Sequence, residues 1–124
     1  MIPAIEIPST VVSAEAVIRL LTSHLVETGE LPGDQLESIV AGLLHRESLG
    51  STNVGRGVAV PHLVAPAVNG TAILLGRLTT PLIWSEDNVE PVRQVYLVLT
   101  AERTDYLVCL EQISRHLRDG DRTA

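Results

Sequence analysis

The sequence contains no lysine and no phenylalanine, and it has a single cysteine, Cys109. One cysteine excludes an internal disulfide and suits a reducing compartment. With one tryptophan and two tyrosines, the core must be built mainly from aliphatic side chains. No apolar run approaches the ~18 residues needed to cross a bilayer, and the start, MIPAIEIP, lacks the basic and apolar runs of a signal peptide. These absences predict a soluble, cytoplasmic chain with no membrane insertion.

Positive charge is also scarce. Nine arginines, which form no cluster in the sequence, face 15 acidic residues, so the formal net charge is −6. A nucleic-acid binder needs a basic face for the phosphate backbone, so we expect no nucleic-acid partner. A phosphorylated protein partner remains compatible with this charge, because one local arginine can serve a phosphate. The 124 residues, 45% of them hydrophobic, fit one domain with a real core.

Three helices are predicted from the spacing of apolar residues. The first begins after a Ser13 cap and ends at Gly29, and the second covers about residues 34–47. The third covers about residues 103–118. Its buried side is expected to hold Leu107, Leu110, Ile113 and Leu117.

The predicted strands lie between these helices, which favours a sheet flanked by helices. Residues 92–101 form the strongest strand, and because both of its faces are apolar we expect it to be central. Residues 63–70 are predicted to be an irregular loop and turn. The other strands are expected as an edge strand within 1–12 and at 58–60, 71–78 and 81–84.

The stretch GSTNVGRGVAVPH, residues 50–62, carries the clearest candidate for chemistry. A glycine-rich turn leads into a short apolar strand, which is expected to stop at Pro61, and His62 follows. Pro61 fixes its own φ angle and restricts the residue before it, so a stiff backbone aims the histidine.

The residues near His62 are of the types that phosphoryl transfer requires. A neutral imidazole is a good nucleophile at physiological pH, and Arg46 could hold two phosphoryl oxygens. Gly57 lets loop N–H groups approach a ligand closely, and Ser51 and Thr52 add neutral donors. Positioning and charge stabilisation dominate this chemistry. By itself, however, a histidine after a strand is more often structural.

Other kinds of site lack their signatures. A P-loop is excluded because the chain has no lysine. Glu86, Asp87 and Glu90 do not have metal-ligand spacing. We therefore expect no cofactor and no metal.

Residues 45–62, HRESLGSTNVGRGVAVPH, resemble the signature of the enzyme IIA domain of the fructose/mannitol type. That family belongs to the bacterial phosphoenolpyruvate-dependent sugar phosphotransferase system and includes nitrogen-regulatory relatives. The resemblance continues more weakly through PLIW…PVRQVYLVLTA and the final helix. It implies an α/β fold with a mixed β-sheet sandwiched between helices, formed by a single domain over residues 1–124.

The resemblance also implies a site and partners. The family's phosphorylated histidine matches His62, which would take a phosphoryl group from the histidine-containing phosphocarrier protein. The group would then pass to a transporter domain or serve as a signal to a regulatory target. The family's conserved arginine matches Arg46, and Thr52 matches a loop position near the phosphoryl group. Because such proteins dock on one another, Val54 and Leu63 are candidates for an apolar rim around the site.

Tyr106 departs from the family pattern, which usually has a second active-site histidine at this position. A tyrosine can donate a hydrogen bond to a phosphoryl oxygen but cannot become a cation. His116 is a poor substitute, because ten helical residues place it ~15 Å further along the axis, and we expect it to be solvated. The sequence ends with HLRDGDRTA, where the family usually continues, and we therefore expect a trimmed or naturally short domain.

Two functions therefore stay open. The first is a phosphoryl carrier for sugar transport or for nitrogen or metabolic regulation. The second is a regulatory binding module of the same fold, in which the tyrosine marks lost or weakened phosphotransfer. A hydrolase that uses His62 as a base is disfavoured, because the chain has no nucleophile elbow, catalytic cysteine or metal set.

Overall fold

The computed structural model describes residues 2–68, 70–86 and 90–123, with side chains described up to residue 119. In this part of the chain the helices are α1 (Ala14–Glu27), α2 (Leu36–Ser48) and α3 (Asp105–Thr123), and a 3₁₀ turn (Gly33–Gln35) precedes α2. The strands are β1 (Ala4–Ile7), β2 (Asn53–Gly55), β3 (Val58–Ala59), β4 (His62–Val64), β5 (Thr71–Leu82) and β6 (Val92–Thr100). None of these helices is both long and apolar enough to cross a membrane.

The sheet is mixed, and β6 is at its centre. Strand β5 runs antiparallel to β6, whereas β3 and β4 both run parallel to it. Strand β1 pairs parallel with β5, and β2 pairs antiparallel with β3. The predicted central position of the strand at 92–101 is therefore confirmed.

Alternate residues of β6 enter two separate cores. Val95, Leu97 and Leu99 pack with buried residues of α1 and α2. Tyr96 and Val98, on the other face of the strand, pack with buried residues of α3. The helices thus cover both faces, which confirms the predicted sheet sandwiched between helices.

Helix α1 forms as its sequence predicts. The Ser13 hydroxyl accepts a 3.1 Å hydrogen bond from the Ala16 N–H, which satisfies one of the free donors of the first turn. The buried stripe includes Val17 and Leu21. Gly29 follows the helix with a φ of +83°, a left-handed conformation that glycine adopts without a steric penalty.

The predicted loop at 63–70 is wrong in its first residues, because β4 occupies His62–Val64. Val60 and Pro61 separate β3 from β4, yet both strands pair with β6. The Pro61 carbonyl accepts a 3.0 Å bond from the Val98 N–H, and His62 is the register partner of Val98. His62 is therefore the first residue of strand β4, whereas the sequence predicted that it starts a loop.

Strand β5 is continuous over Thr71–Leu82, where two strands were predicted. The register with β6 shifts between Arg77 and Leu82. Such an irregularity accommodates Pro81, which has no N–H for a regular ladder.

Helix α3 differs from the prediction in its buried side. Leu107 is 73% exposed, whereas Cys109 and Ile113 are buried. Tyr106 and Leu110 pack against these two residues. The buried stripe thus begins at Tyr106, and Leu107 lies one helical position outside it.

Candidate functional site

An open pocket of about 550 Å³ lies where β4 and β6 end, beside the last turn of α2 and the start of α3. The parallel pairing of β4 with β6 brings Val64 opposite Thr100 at this edge of the sheet. The residues that line the pocket come from all four elements and from the turn before α3: Arg46, His62, Leu63, Val64, Thr100, Arg103 and Tyr106.

His62 is half-buried, and one of its ring nitrogens is engaged. Its Nδ1 lies 3.0 Å from the Val60 carbonyl oxygen. A carbonyl oxygen can only accept a hydrogen bond, so Nδ1 carries the proton in this pair. In the neutral ring, Nε2 then holds the lone pair.

Tyr106 stacks on the imidazole of His62. The ring centroids are 4.3 Å apart and the planes differ by 23°. Burial is the main cause that raises the pKa of Tyr106 above its usual range. The positive charge of Arg46 acts in the opposite direction, and the electrostatic effect of nearby Cys109, which can carry only negative charge, adds to the increase. Tyr106 therefore keeps its hydroxyl proton at neutral pH, and the stack restricts the orientation of the His62 ring.

Arg46 reaches the pocket from the last turn of α2. Its Nη1 donates a 2.7 Å hydrogen bond to the carbonyl of Gly50, which fixes the guanidinium against the turn that follows the helix. A guanidinium has five N–H donors, so one bond to Gly50 leaves donors for an anion.

The carboxylate of Glu47, next to Arg46, gathers three donors. Thr52 donates from its backbone N–H, 3.1 Å from Oε2, and from its hydroxyl, 2.8 Å from Oε1. The indole Nε1 of Trp84 donates to the same Oε1 at 2.5 Å. We call these three residues the Glu47 latch. It ties the end of α2 to the loop that leads to His62 and to the segment after β5.

The structure does not bring Ser51, Thr52 or Gly57 into the lining of the pocket. The donors of Thr52 are used by the Glu47 latch, and the Ser51 hydroxyl accepts a 3.0 Å bond from the Asn53 N–H. Gly57 has a φ of +77°, and its carbonyl accepts bonds from β6, of which the shorter is 2.7 Å from the Arg93 N–H. These residues shape the loop that precedes β3 and β4.

Arg103 is the charged pocket residue that the sequence reasoning missed, and Val64 and Thr100 are uncharged lining residues that it also did not name. Arg103 lies in the turn before α3, three residues before Tyr106. The signal was the one-turn spacing between a cation and the tyrosine, but without the fold the nine arginines showed no cluster. The Glu47 latch was also missed, and its Trp84 is buried.

The other candidates lie elsewhere. His116 is half-buried rather than solvated, and its Nδ1 is 2.8 Å from the hydroxyl of Tyr96, so the expectation of a solvated residue is wrong. It lines a second pocket, with Ile2 and Asp119 among its neighbours, and not the pocket of His62. Asp87 lies outside the described residues, and within the described ones no three His, Cys, Asp or Glu side chains are grouped to hold a metal.

Comparison with known proteins gives a family match over almost the whole chain. The family model described as "Phosphoenolpyruvate-dependent sugar phosphotransferase system, EIIA 2" matches residues 3–124. The Nitrogen regulatory protein of Bradyrhizobium diazoefficiens is 38% identical over 97 residues, which cover 77% of this chain and 63% of the relative. The PTS system 2-O-alpha-mannosyl-D-glycerate-specific EIIABC component of Escherichia coli is 32% identical over 113 residues, which cover 88% of this chain and 17% of the relative. The chain thus spans less than two thirds of the length of either relative.

Solved structures share the fold. The nitrogen regulatory protein IIA-Ntr of Neisseria meningitidis superposes with a TM-score of 0.68 at 24% identity, over 90% of this chain and 73% of that one. The mannitol IIA of Escherichia coli gives 0.69 at 23% identity, over 86% of this chain and 74% of that one. The predicted fold class and the family resemblance are both confirmed.

Proposed function

Because this chain belongs to the EIIA 2 family of the phosphoenolpyruvate-dependent sugar phosphotransferase system, we propose that it is a phosphoryl carrier whose acceptor is His62. The observation that carries the proposal is the hydrogen bonding and the location of the His62 ring. Its Nδ1 is tied to the Val60 carbonyl, and it lines an open pocket together with Arg46. A nucleophile with a fixed tautomer and a neighbouring cation is what a phosphoryl acceptor needs.

The donor is a phosphohistidine of the histidine-containing phosphocarrier protein. Nε2 of His62 attacks the phosphorus in line, a new N–P bond forms, and the N–P bond of the donor breaks with its electron pair on the donor nitrogen. The reactive donor ring carries a proton on its other nitrogen and leaves as a neutral imidazole. His62 keeps its Nδ1 proton, and the Val60 carbonyl stabilises the positive charge that develops on the ring.

Arg46 and Tyr106 have different tasks in this step. The guanidinium of Arg46 neutralises phosphoryl oxygens and can hold two of them at once. Tyr106, stacked on His62 at 4.3 Å, fixes the ring and offers a neutral hydroxyl as a donor. Ser51, Thr52 and Gly57 act indirectly, because their contacts hold the loop rather than face the pocket.

The phosphoryl group would leave to a transporter domain or act as a signal to a regulatory target. The similarity to the Nitrogen regulatory protein of Bradyrhizobium diazoefficiens supports the regulatory role. A mannitol IIA of Escherichia coli has been solved in complex with phosphorylated enzyme IIB, which supports a protein acceptor. Apolar side chains suited to docking line the pocket, since Leu63 and Val64 both belong to it and Val64 is 46% exposed. Val54 is 68% exposed but is not among the residues that line the pocket.

Intact mass tests the proposal. The protein is incubated with phosphoenolpyruvate, the first enzyme of the system and the phosphocarrier protein. We expect a gain of one phosphoryl group that is lost in acid and absent from His62→Ala. His45→Ala is the matched control, because His45 is exposed and does not line the pocket. A folded protein that gains no phosphoryl group, or gains it equally in His62→Ala, refutes the proposal.

The regulatory binding module is the second candidate, and one observation favours it. The Tyr106 ring covers one face of the His62 imidazole, as a purely structural pair would. In that case the wild-type protein gains no mass with the complete donor system, and Tyr106→His creates phosphoryl acceptance.

A further inference from the structure

The charges of the pocket differ from those of the rest of the chain. Arg46 and Arg103 line it, and none of its described lining residues is acidic. The whole sequence has a formal net charge of −6, with 15 acidic residues against nine arginines. Two cations without a carboxylate, in an acidic protein, favour a ligand with two negative charges.

The backbone of Arg103 is fixed to the residue that stacks on His62. The Tyr106 N–H donates a 3.2 Å hydrogen bond to the Arg103 carbonyl. The turn before α3 therefore places Arg103 at the pocket together with the tyrosine. Its position depends on the start of α3, whereas that of Arg46 depends on the end of α2, so two separate elements supply the two guanidinium groups.

The guanidinium of Arg103 is available to a ligand. The ion pairs found within the described residues join Arg19 to Glu37 and Arg115 to Glu111, and neither involves Arg103. The residue is exposed, and no side-chain hydrogen bond of the described part of the chain uses it.

We propose that Arg103 is a second phosphoryl-binding residue, which together with Arg46 binds the phosphoryl group carried by His62. This inference rests on the proposed function. A phosphoryl group on a ring nitrogen carries up to two negative charges, and Arg46 supplies one positive charge. Tyr106 cannot supply another because a phenol does not become a cation, whereas an arginine stays charged at every physiological pH. Arg103 thus provides the second cation and lowers the barrier as negative charge shifts between donor and acceptor.

Three variants test this role. Arg103→Gln removes the charge, and Arg103→Lys restores a point charge without the planar fork. Arg118→Gln is the matched control, because Arg118 is exposed and lies on α3 twelve residues beyond Tyr106, ~18 Å along the helix. Phosphorylation of His62 is measured with the phosphocarrier protein and with phosphoramidate, a small donor that has no docking surface. Independently, inorganic phosphate is titrated while the NMR signals of the His62 ring are followed.

We expect Arg103→Gln to slow phosphorylation by at least about tenfold with both donors. Arg103→Lys should fall between Arg103→Gln and the wild type, and Arg118→Gln should stay within twofold of it. Rates for Arg103→Gln within twofold of the wild type overturn the inference but leave the proposed function intact. Slowing that is confined to the protein donor also overturns it, because Arg103 then acts in docking.

The phosphate titration decides the case in which the wild type accepts no phosphoryl group. The proposed function then fails, yet the anion-binding role of Arg103 stands if phosphate shifts the His62 signals and Arg103→Gln weakens this binding at least fivefold. If phosphate leaves the His62 signals unchanged, or binds Arg103→Gln as it binds the wild type, the role is refuted as well.

Discussion

Removal of the Glu47 carboxylate should destabilise the protein more than removal of the carboxylate of any exposed acidic residue. In Glu47→Ala, the Thr52 N–H, the Thr52 hydroxyl and the Trp84 indole N–H lose their acceptor. Thr52 is 5% exposed and Trp84 is 6% exposed, so water replaces the carboxylate poorly. Donors that lose a partner in such a place cost about 1 to 3 kcal/mol each.

The expected loss in the free energy of unfolding is about 3 to 5 kcal/mol, taking the lower part of that range for each of three partly buried donors. For a domain of this size the loss corresponds to a decrease in Tm of about 10–20 °C. Urea unfolding followed by circular dichroism measures it. Glu37→Ala is the matched control on the same helix, because its pair with Arg19 is exposed to solvent and should contribute little to stability.

A double-mutant cycle isolates one bond of the latch. Trp84→Phe keeps most of the buried ring and removes the indole donor. The coupling between Glu47→Ala and Trp84→Phe should be about 1.5 to 3 kcal/mol, as for hydrogen bonds to charged groups. A loss below about 1 kcal/mol for Glu47→Ala, with no coupling to Trp84, would show that the latch does not hold the loop.

Three further predictions concern ionisation and packing. Burial raises the pKa of Tyr106, so the folded state favours the neutral form of its hydroxyl. The free energy of unfolding should therefore be unaffected at lower pH and should decline as the pH rises past the ordinary tyrosine pKa of about 10. Urea titrations from pH 8 to 11 should show this decline in the wild type, and a decline of the same size in Tyr106→Phe would contradict it. Burial also raises the pKa of the Cys109 thiol, and alkylation by iodoacetamide should be far slower in the native protein than in urea; equal rates would contradict this. Gly76→Ala would place its Cβ 3.1 Å from atoms of Ile7 and Leu21 and should lower the free energy of unfolding in urea by about 1 to 3 kcal/mol. An unchanged free energy of unfolding would mean that Ile7 and Leu21 shift to make room for the methyl group at little cost.

Elements with a strong local pattern could be predicted from the sequence. The alternation of β6 and the cap of α1 both depend on residues close together in the chain, and both are present as expected. Strand β4 could not be predicted, because three residues carry no periodicity and their strand geometry comes from pairing with β6. The exposure of Leu107 likewise follows from how α3 sits on the sheet, which helical spacing leaves open by one residue.

The residues of the site also fall into those that the sequence could predict and those that it could not. His62 and Arg46 could be found, because a short segment holds both and its residue types suggest the chemistry. Arg103 and the Glu47 latch could not, because contacts between distant segments create them. Thr52 illustrates the difference. By residue type its hydroxyl is a reasonable hydrogen-bond donor to a phosphoryl oxygen, yet in the fold it donates to the carboxylate of Glu47.

The interruption at Pro61 explains how one segment can serve both the sheet and the pocket. Strands β3 and β4 pair with the same central strand, so the chain stays anchored to β6 on both sides of Pro61. Val60 lies in the gap between them, where its carbonyl accepts a hydrogen bond from the Nδ1–H of His62. An uninterrupted strand would commit that carbonyl to a regular ladder and leave the imidazole without its partner. The break therefore fixes the tautomer and leaves the lone pair of the neutral ring on Nε2.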